Sequence, residues 1–147
     1  MTHEQDRQAV IDEALSWLGT HYHLNARIKG VGVDCGNFVL AAFIGAGLIE
    51  DVNLGDRKPD FHLHRGEEVY LKWLDVYCRK LKDGEQPLPG DIVVFQFGRI
   101  VAHGAIVLTW PEIVHIPYKL QVMTDRADLE PLKSRCRGFY RLKAWEE

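Results

Sequence analysis

Residues 30–48, GVGVDCGNFVLAAFIGAGL, begin as a glycine-rich loop and continue as an almost wholly apolar run. A run that is apolar on all sides and rich in Ala, Leu and Phe predicts a buried helix. Asp34 stands at the N-cap position, and Gly45 and Gly47 stand where the helix should end. Cys35 therefore falls in the first helical turn, where unpaired N–H groups and the helix dipole favour an anion. Two alternatives follow, a reactive thiol of lowered pKa or a buried structural cysteine.

The composition of the chain fits one soluble globular domain over residues 1–147. A formal charge of −3 argues against a nucleic-acid partner, which requires a basic field. Three cysteines without close pairs indicate free thiols rather than a disulfide framework. No apolar run reaches membrane-spanning length, so no membrane partner is expected. The polar, acidic N-terminus lacks a signal-peptide pattern, which predicts a chain that is cytoplasmic as synthesised.

Helices dominate the predicted first half. A capping box at residues 2–5 opens a helix with apolar positions at helical spacing, and Gly19 ends it. Residues 50–66 are polar and predict an irregular loop. Residues 67–81 predict an amphipathic helix, and Cys78 beside its apolar face indicates packing rather than chemistry.

Two His-x-His pairs raise the question of a metal site. They are His21 with His23 and His62 with His64. In extended chain such a pair puts both rings on one face, as metal binding requires. Neither pair has a cysteine or carboxylate at ligand spacing beside it. We therefore predict exposed histidines, no metal site and no cofactor.

The second half changes to the periodicity of strands. Pro89-Gly90 suits the centre of a type II turn, and Gly98-Arg99 predicts a hairpin. The predicted strands cover residues 92–97, 100–109, 113–116, 120–123 and 139–143. Helices followed by an antiparallel sheet indicate the α+β class.

Three residues have the side chains that cysteine catalysis requires. A cysteine nucleophile needs a base to take its proton, and the base needs a group that orients it. Cys35 lies at a helix start, His103 on one strand and His115 on the next. A lone strand histidine is often structural, but His103 lies in an apolar run where a titratable group is costly to bury. His103 is therefore a better candidate base than the histidines in loops.

Four segments of the chain, taken in order, resemble a known family. They are GVDCGNFV (32–39), PLPGDIVVF (87–95), VAHGAIVL (101–108) and IVHI (113–116). The pattern is similar to the NlpC-type family of bacterial cell-wall cysteine peptidases and extends over residues 19–143. The resemblance implies a papain-like fold that hydrolyses peptidoglycan stem peptides, typically between γ-D-glutamate and the diamino acid. It also implies that Cys35 is the nucleophile, His103 the base and later the acid, and His115 the orienting residue.

The resemblance assigns a further set of substrate-binding and oxyanion positions. Tyr22 matches a tyrosine that lines the oxyanion site, and Asp34 matches the aspartate before the cysteine, with a role in holding the ammonium of an N-terminal L-alanine. Gly36 stands where the family usually has serine. Residues 23–25 replace the usual Trp-Gly-Gly, so the reaction type is better supported than the substrate.

In its shortness and its lack of a signal peptide, this chain is similar to family members encoded with phage tails and prophages, and we expect no wall-binding module, so that targeting would come from a partner. This similarity implies phage tail proteins as partners and a place in the virion tail. Two rival functions stay open: a cell-wall cysteine amidase with the same catalytic residues, and a non-catalytic tail or assembly component.

Overall fold

The computed structural model describes residues 3–50 and 73–145. In chain order its helices and strands are α1 (His3–Leu15), β1 (Arg27–Ile28), β2 (Gly32–Val33), α2 (Cys35–Gly45), β3 (Cys78–Lys80), β4 (Ile92–Phe97), β5 (Ile100–Val107), β6 (Glu112–His115), β7 (Met123–Arg126) and β8 (Cys136–Leu142). Residues 73–77 are also helical, and 3-10 helices lie at Lys133–Arg135 and Lys143–Trp145. The α+β class expected from the sequence is confirmed.

Six of the described strands form the main sheet in the spatial order β3-β8-β4-β5-β6-β7, and every neighbouring pair is antiparallel. β1 and β2 form a separate hairpin just before α2. α2 packs on β5 and β6, and α1 packs on α2. This packing holds the helix that starts at Cys35 against the two strands that carry His103 and His115.

The two sheet faces belong to two hydrophobic cores. The first core joins α1, α2 and one face of the sheet, and includes Phe38, Ile92 and Ile106. The second core lies on the opposite face and includes Phe95 and Ile113. Since side chains alternate along a strand, residues of odd number on β4 and β6 face the second core.

α2 forms as the sequence predicts. Asp34 is its N-cap, with an extended backbone and a side chain that accepts from the backbone N–H of Asn37. Residues 35–43 are all buried, as expected of a run that is apolar on every side. Gly47, at φ +78°, provides the left-handed residue after the helix, and the N–H of Leu48 reaches the carbonyl of Phe43.

Two helices predicted in the first half of the chain end at other residues than expected. α1 ends at Leu15, and turns lead from it to Gly19. Of the helix predicted over residues 67–81, residues 73–77 are helical, whereas residues 78–80 form β3, a strand paired with β8. Pairing with a strand far along the chain overrides the local helical pattern there.

Several predictions made from the sequence lie outside the described residues. They concern the start of the first helix at residues 1–2, most of the loop predicted at 50–66, including His62 and His64, and residues 67–72. None of the helices in the described ranges combines the length and the apolar character that a transmembrane span requires.

The strand predictions are closest near the hairpin of β4 and β5. β4 begins and ends where predicted, and Gly98-Arg99 forms the turn. β5 ends two residues early, β6 is displaced by one residue, and β8 begins three residues early. The strand predicted at 120–123 lies instead at Met123–Arg126, because residues 120–122 bond to residues 19–22.

Candidate active site

Cys35 lies in the first turn of α2 and is 8% exposed. The carboxylate of Asp34 before it is 1% exposed. Its Oδ1 accepts from the backbone N–H of Asn37 at 2.9 Å and from the Asn37 side-chain amide at 3.1 Å, and its Oδ2 accepts from the backbone N–H of Asn25 at 2.7 Å. Gly36, also buried, follows in the same turn. The predicted N-cap is therefore confirmed, and it ties the helix start to the preceding loop.

Tyr22 folds back beside this helix start. Its segment forms a parallel bridge to Val33, two residues before Cys35. On its other side, the N–H of Tyr22 donates to the carbonyl of Leu120 at 2.8 Å. The half-buried Tyr22 ring meets the exposed ring of Tyr118 edge-on, with centroids 5.0 Å apart. Two tyrosines thus lie next to the segment that leads into α2.

The two candidate histidines meet. β5 and β6 pair through Ile106↔Val114 and Val107↔Ile113, so the residue numbers of paired positions have an even sum. Positions 103 and 115 then share a face of the sheet, as a catalytic pair requires. The rings are in direct contact, with Nε2 of His103 2.8 Å from Nδ1 of His115.

The ring of His103 is enclosed by aromatic side chains. His103 is the cross-strand partner of Phe95, and its ring centroid is 5.9 Å from that of Phe95 and 5.6 Å from that of Phe97. It therefore lies on the face of the second core. The described β5–β6 ladder consists of two pairs and ends before either histidine.

A third polar residue, Asp125, completes the chain of side chains. Nε2 of His115 is 2.9 Å from Oδ2 of Asp125. The register Ile113↔Asp125 between β6 and β7 puts Asp125 on the same face as His115, one diagonal step away. Sequence reasoning missed Asp125, because its predicted strand stopped at residue 123. The strand register is the signal that would have found it.

The environment keeps both histidines neutral near pH 7. Burial lowers the pKa of His103 well below its ordinary value of 6.5, and the neighbouring His115 lowers it further. Burial also lowers the pKa of His115, although its hydrogen bond and charge interaction with Asp125 act in the opposite direction. Both rings therefore have one protonated and one unprotonated nitrogen.

The hydrogen-bond partners assign the tautomers. A carboxylate only accepts, so Nε2–H of His115 donates to Asp125. Nδ1 of His115 is then unprotonated and accepts from Nε2–H of His103. The remaining nitrogen of His103, Nδ1, carries the lone pair. The arrangement can thus supply a neutral, oriented base on β5. α2 packs on the same strand, with Cys35 in the first core and His103 on the face of the second core.

The other cysteines and the first histidine pair have different surroundings. Burial raises the pKa of the Cys78 thiol to about 12, which fits the predicted packing role. Cys136 is half-buried. His21 and His23 are exposed, and the ranges 3–50 and 73–145 contain no group of three or more residues suited to hold a metal ion.

Comparison with solved structures finds a similar fold in proteins of one family. A Staphylococcus aureus protein described as similar to a lipoprotein of the NLP/P60 family matches 97% of this chain with a TM-score of 0.68 and 17% identity. The chain spans 42% of that protein's length. The peptidoglycan hydrolase RipB from Mycobacterium tuberculosis matches 98% of this chain and 67% of its own, with a TM-score of 0.64 and 17% identity.

A further structure is similar in size as well as in fold. RipD, also from Mycobacterium tuberculosis, matches 92% of this chain and 95% of its own, with a TM-score of 0.59 and 16% identity. It is described as a non-catalytic NlpC/P60 domain protein adapted to peptidoglycan binding. No protein-family model matches the sequence, and no curated protein matches it. The likeness lies in the fold, and this chain has the fold of the NlpC/P60 domain, the family that its sequence resembles.

Proposed function

We propose that this chain is a cysteine endopeptidase that hydrolyses peptidoglycan stem peptides at the bond between γ-D-glutamate and the diamino acid. The NlpC/P60 fold supports a peptidoglycan substrate, since RipB, a peptidoglycan hydrolase, shares it. The observation that carries the proposal is the 2.8 Å contact between the rings of His103 and His115. A buried imidazole held by a second imidazole is an arrangement suited to a general base.

In the proposed reaction, Nδ1 of His103 takes the proton from the thiol of Cys35. The thiolate attacks the peptide carbonyl carbon, and its oxygen becomes an oxyanion. When the C–N bond breaks, the leaving amine takes the proton from His103 and a thioester to Cys35 remains. Water then gives a proton to His103 and attacks the thioester, which releases the carboxylic acid and restores the thiol.

The local structure of α2 and its neighbours supports this assignment. The helix start favours the thiolate of Cys35, and the Cys35 backbone N–H is a candidate oxyanion donor. The hydroxyl of Tyr22 is a second candidate, because its segment pairs with Val33 just before the helix. The β5–β6 ladder ends before His103, and we place the approach of the thiol to Nδ1 where these strands part.

Mass spectrometry of purified muropeptides tests both the reaction and the bond. The wild-type protein should release fragments that end at γ-D-glutamate, Cys35→Ala should release none, and the matched Cys136→Ala control should cleave like wild type. Cleavage between the sugar and L-alanine would replace the endopeptidase with the amidase. Wild-type turnover by Cys35→Ala would refute the nucleophile.

Binding without catalysis is the second candidate function. The observation that favours it is the likeness to RipD over 92% of this chain. In that case the wild-type protein should sediment with purified peptidoglycan but leave the muropeptides intact. An association with phage tail proteins is a further proposal, tested by asking whether the chain co-purifies with tail particles.

A further inference from the structure

We propose that Asp125 is a positioning residue that fixes the tautomer of His115 and, through it, the orientation of the base His103. The catalytic consequence rests on the proposed function, whereas the effect on the tautomer does not. The geometry is a continuous line of hydrogen bonds, with 2.9 Å from Asp125 to His115 and 2.8 Å from His115 to His103.

The two oxygens of Asp125 have separate partners. Oδ1 accepts from the backbone N–H of Arg126 at 2.8 Å, which holds the carboxylate on its own strand. Oδ2 is thereby directed to Nε2 of His115. The His115 side chain is only 3% exposed, so its N–H needs a protein acceptor, and Asp125 provides it.

The direction of the hydrogen bonds gives Asp125 its effect. With an acceptor at Nε2, His115 is protonated there and accepts from His103 at Nδ1. In the other tautomer, Nδ1–H of His115 would donate to Nε2 of His103. The proton of His103 would then lie on its Nδ1, the nitrogen that must be free to receive the proton of Cys35.

Asp125 also stabilises the charge that the reaction creates. When His103 takes a proton, the positive charge lies on a ring in contact with His115. The carboxylate of Asp125 is two hydrogen bonds away, and its negative charge stabilises this positive charge. Because the Asp125 side chain is 37% exposed, its removal leaves no buried charge, and the fold should tolerate the change.

The test compares Asp125→Ala with the matched control Asp128→Ala. Asp128 is an exposed carboxylate three residues along the chain that pairs with Arg126. We expect kcat of Asp125→Ala to fall roughly tenfold or more with KM little changed, and the control to behave like wild type. In parallel, imidazole ¹⁵N chemical shifts should show His115 protonated at Nε2 in wild type and in the control, but not uniquely so in Asp125→Ala.

The two measurements separate this inference from the proposed function. If the wild-type protein cleaves no muropeptide but the tautomer of His115 changes in Asp125→Ala, the proposed function fails and the positioning role stands. An unchanged tautomer overturns the positioning role whatever the activity. An unchanged kcat in an active enzyme also overturns it, because the tautomer would then not matter to the reaction.

Discussion

At the scale of single residues, the carboxylate of Asp34 has more partners than an N-cap requires. It accepts from the backbone N–H of Asn37, as a cap does, and also from the Asn37 side chain and from the backbone N–H of Asn25. An asparagine at this position would have one acceptor oxygen and a donor NH2. The NH2 of the asparagine side chain would then face one of these N–H groups, and two donors cannot form a hydrogen bond with each other.

We therefore predict that Asp34→Asn loses about 1–3 kcal/mol of unfolding free energy, the cost of losing a hydrogen bond to a charged carboxylate. Denaturant titration measures this loss. Asp12→Asn is the matched control, because Asp12 is exposed and accepts from Gln8 on the surface of α1. Equal stability of both variants and wild type would mean that the bond to Asn25 contributes nothing.

The substrate role that the resemblance implies for Asp34 has its own readout. If Asp34 holds the ammonium of an N-terminal L-alanine, acetylating that amine should protect the peptide from the wild-type protein. A loss of kcat/KM on the order of 2 kcal/mol or more is expected for Asp34→Asn below its unfolding temperature. Equal cleavage of acetylated and free-amine peptides would leave Asp34 as a cap alone.

Cys35 should react with iodoacetamide faster than the other two thiols at neutral pH. Its position at a helix start favours the thiolate, while Cys78 is buried with a pKa raised to about 12. Cys136 is the informative comparison, because it is half-buried and therefore more exposed than the buried Cys35. Peptide mapping by mass spectrometry gives the three rates. Faster labelling of Cys136 would mean that exposure, not thiolate character, decides the reaction.

How much of this site the sequence could predict depends on the origin of each contact. The N-cap at Asp34 is local, so the order of residues along the chain was enough. Whether His103 and His115 share a face of the sheet depends on the register of one hairpin. The sequence allowed either a three-residue or a four-residue loop there, so it did not settle that register. The loop has three residues, 109–111, one position earlier than expected, because the N–H of Leu108 bonds to the carbonyl of Glu112. The contact between Asp125 and His115 depends on a second register, that of β6 with β7, and the sequence did not predict it.

At the scale of elements, two β-bulges flank Phe95. The register of β4 with β5 shifts between Phe95 and Gln96, and the register of β4 with β8 shifts between Val94 and Phe95. Bulges bend a strand and change the direction of the side chains beside them. The ring of His103 packs on Phe95, so both irregularities lie where the candidate base is set in place.

The bulge in β8 depends on Gly138. Its φ of +140° is a backbone conformation that residues with a Cβ hardly adopt. We predict that Gly138→Ala lowers the unfolding free energy by about 1–3 kcal/mol, the cost of such strain. In the control Gly84→Ala, φ is +83° and the added Cβ meets nothing within 4 Å, so the loss should be smaller, about 1 kcal/mol.

Equal losses in urea titrations of the two variants would show that the β8 bulge tolerates a side chain.

The strands also show why the ends of secondary-structure elements are hard to predict from the sequence. β4 was predicted correctly because its apolar run lies between turns. β3 was not, because residues 78–80 continue a helical pattern and become a strand only by pairing with β8.

At the scale of the whole molecule, one buried carboxylate joins the helical half to the sheet. Asp91, whose side chain is 0% exposed, pairs with Arg7 of α1 at 3.0 Å and with Arg141 of β8 at 2.8 Å. It also accepts from the backbone N–H of Leu88 at 2.8 Å, within the turn before β4. A buried charge is tolerated when it is paired and hydrogen-bonded in this way. The Pro-Gly-Asp turn thus fixes the position of α1 relative to the strands.

The buried histidine pair makes the stability of the whole fold depend on pH. The pKa values of His103 and His115 are lowered by burial in the folded state, whereas in the unfolded chain each takes a proton below about pH 6.5. The unfolded state therefore binds more protons, and stability rises with pH in this range. The contribution is complete above about pH 6.5 and is lost progressively as the pH falls.

Between about pH 6.5 and 4.5, we predict that the unfolding free energy falls by up to about 1.4 kcal/mol per pH unit because of His103, and that His115 adds to this loss. The pKa of Glu85, lowered to about 2 by its hydrogen bonds to Arg79, adds a loss only below its ordinary value of 4.5, so Glu85 does not contribute between pH 6.5 and 4.5. Urea titrations at several pH values measure the slope. The double variant His103→Leu/His115→Leu should flatten it, and His21→Gln, a change at an exposed histidine, should not. A double variant with the slope of wild type would mean that other groups cause the acid sensitivity.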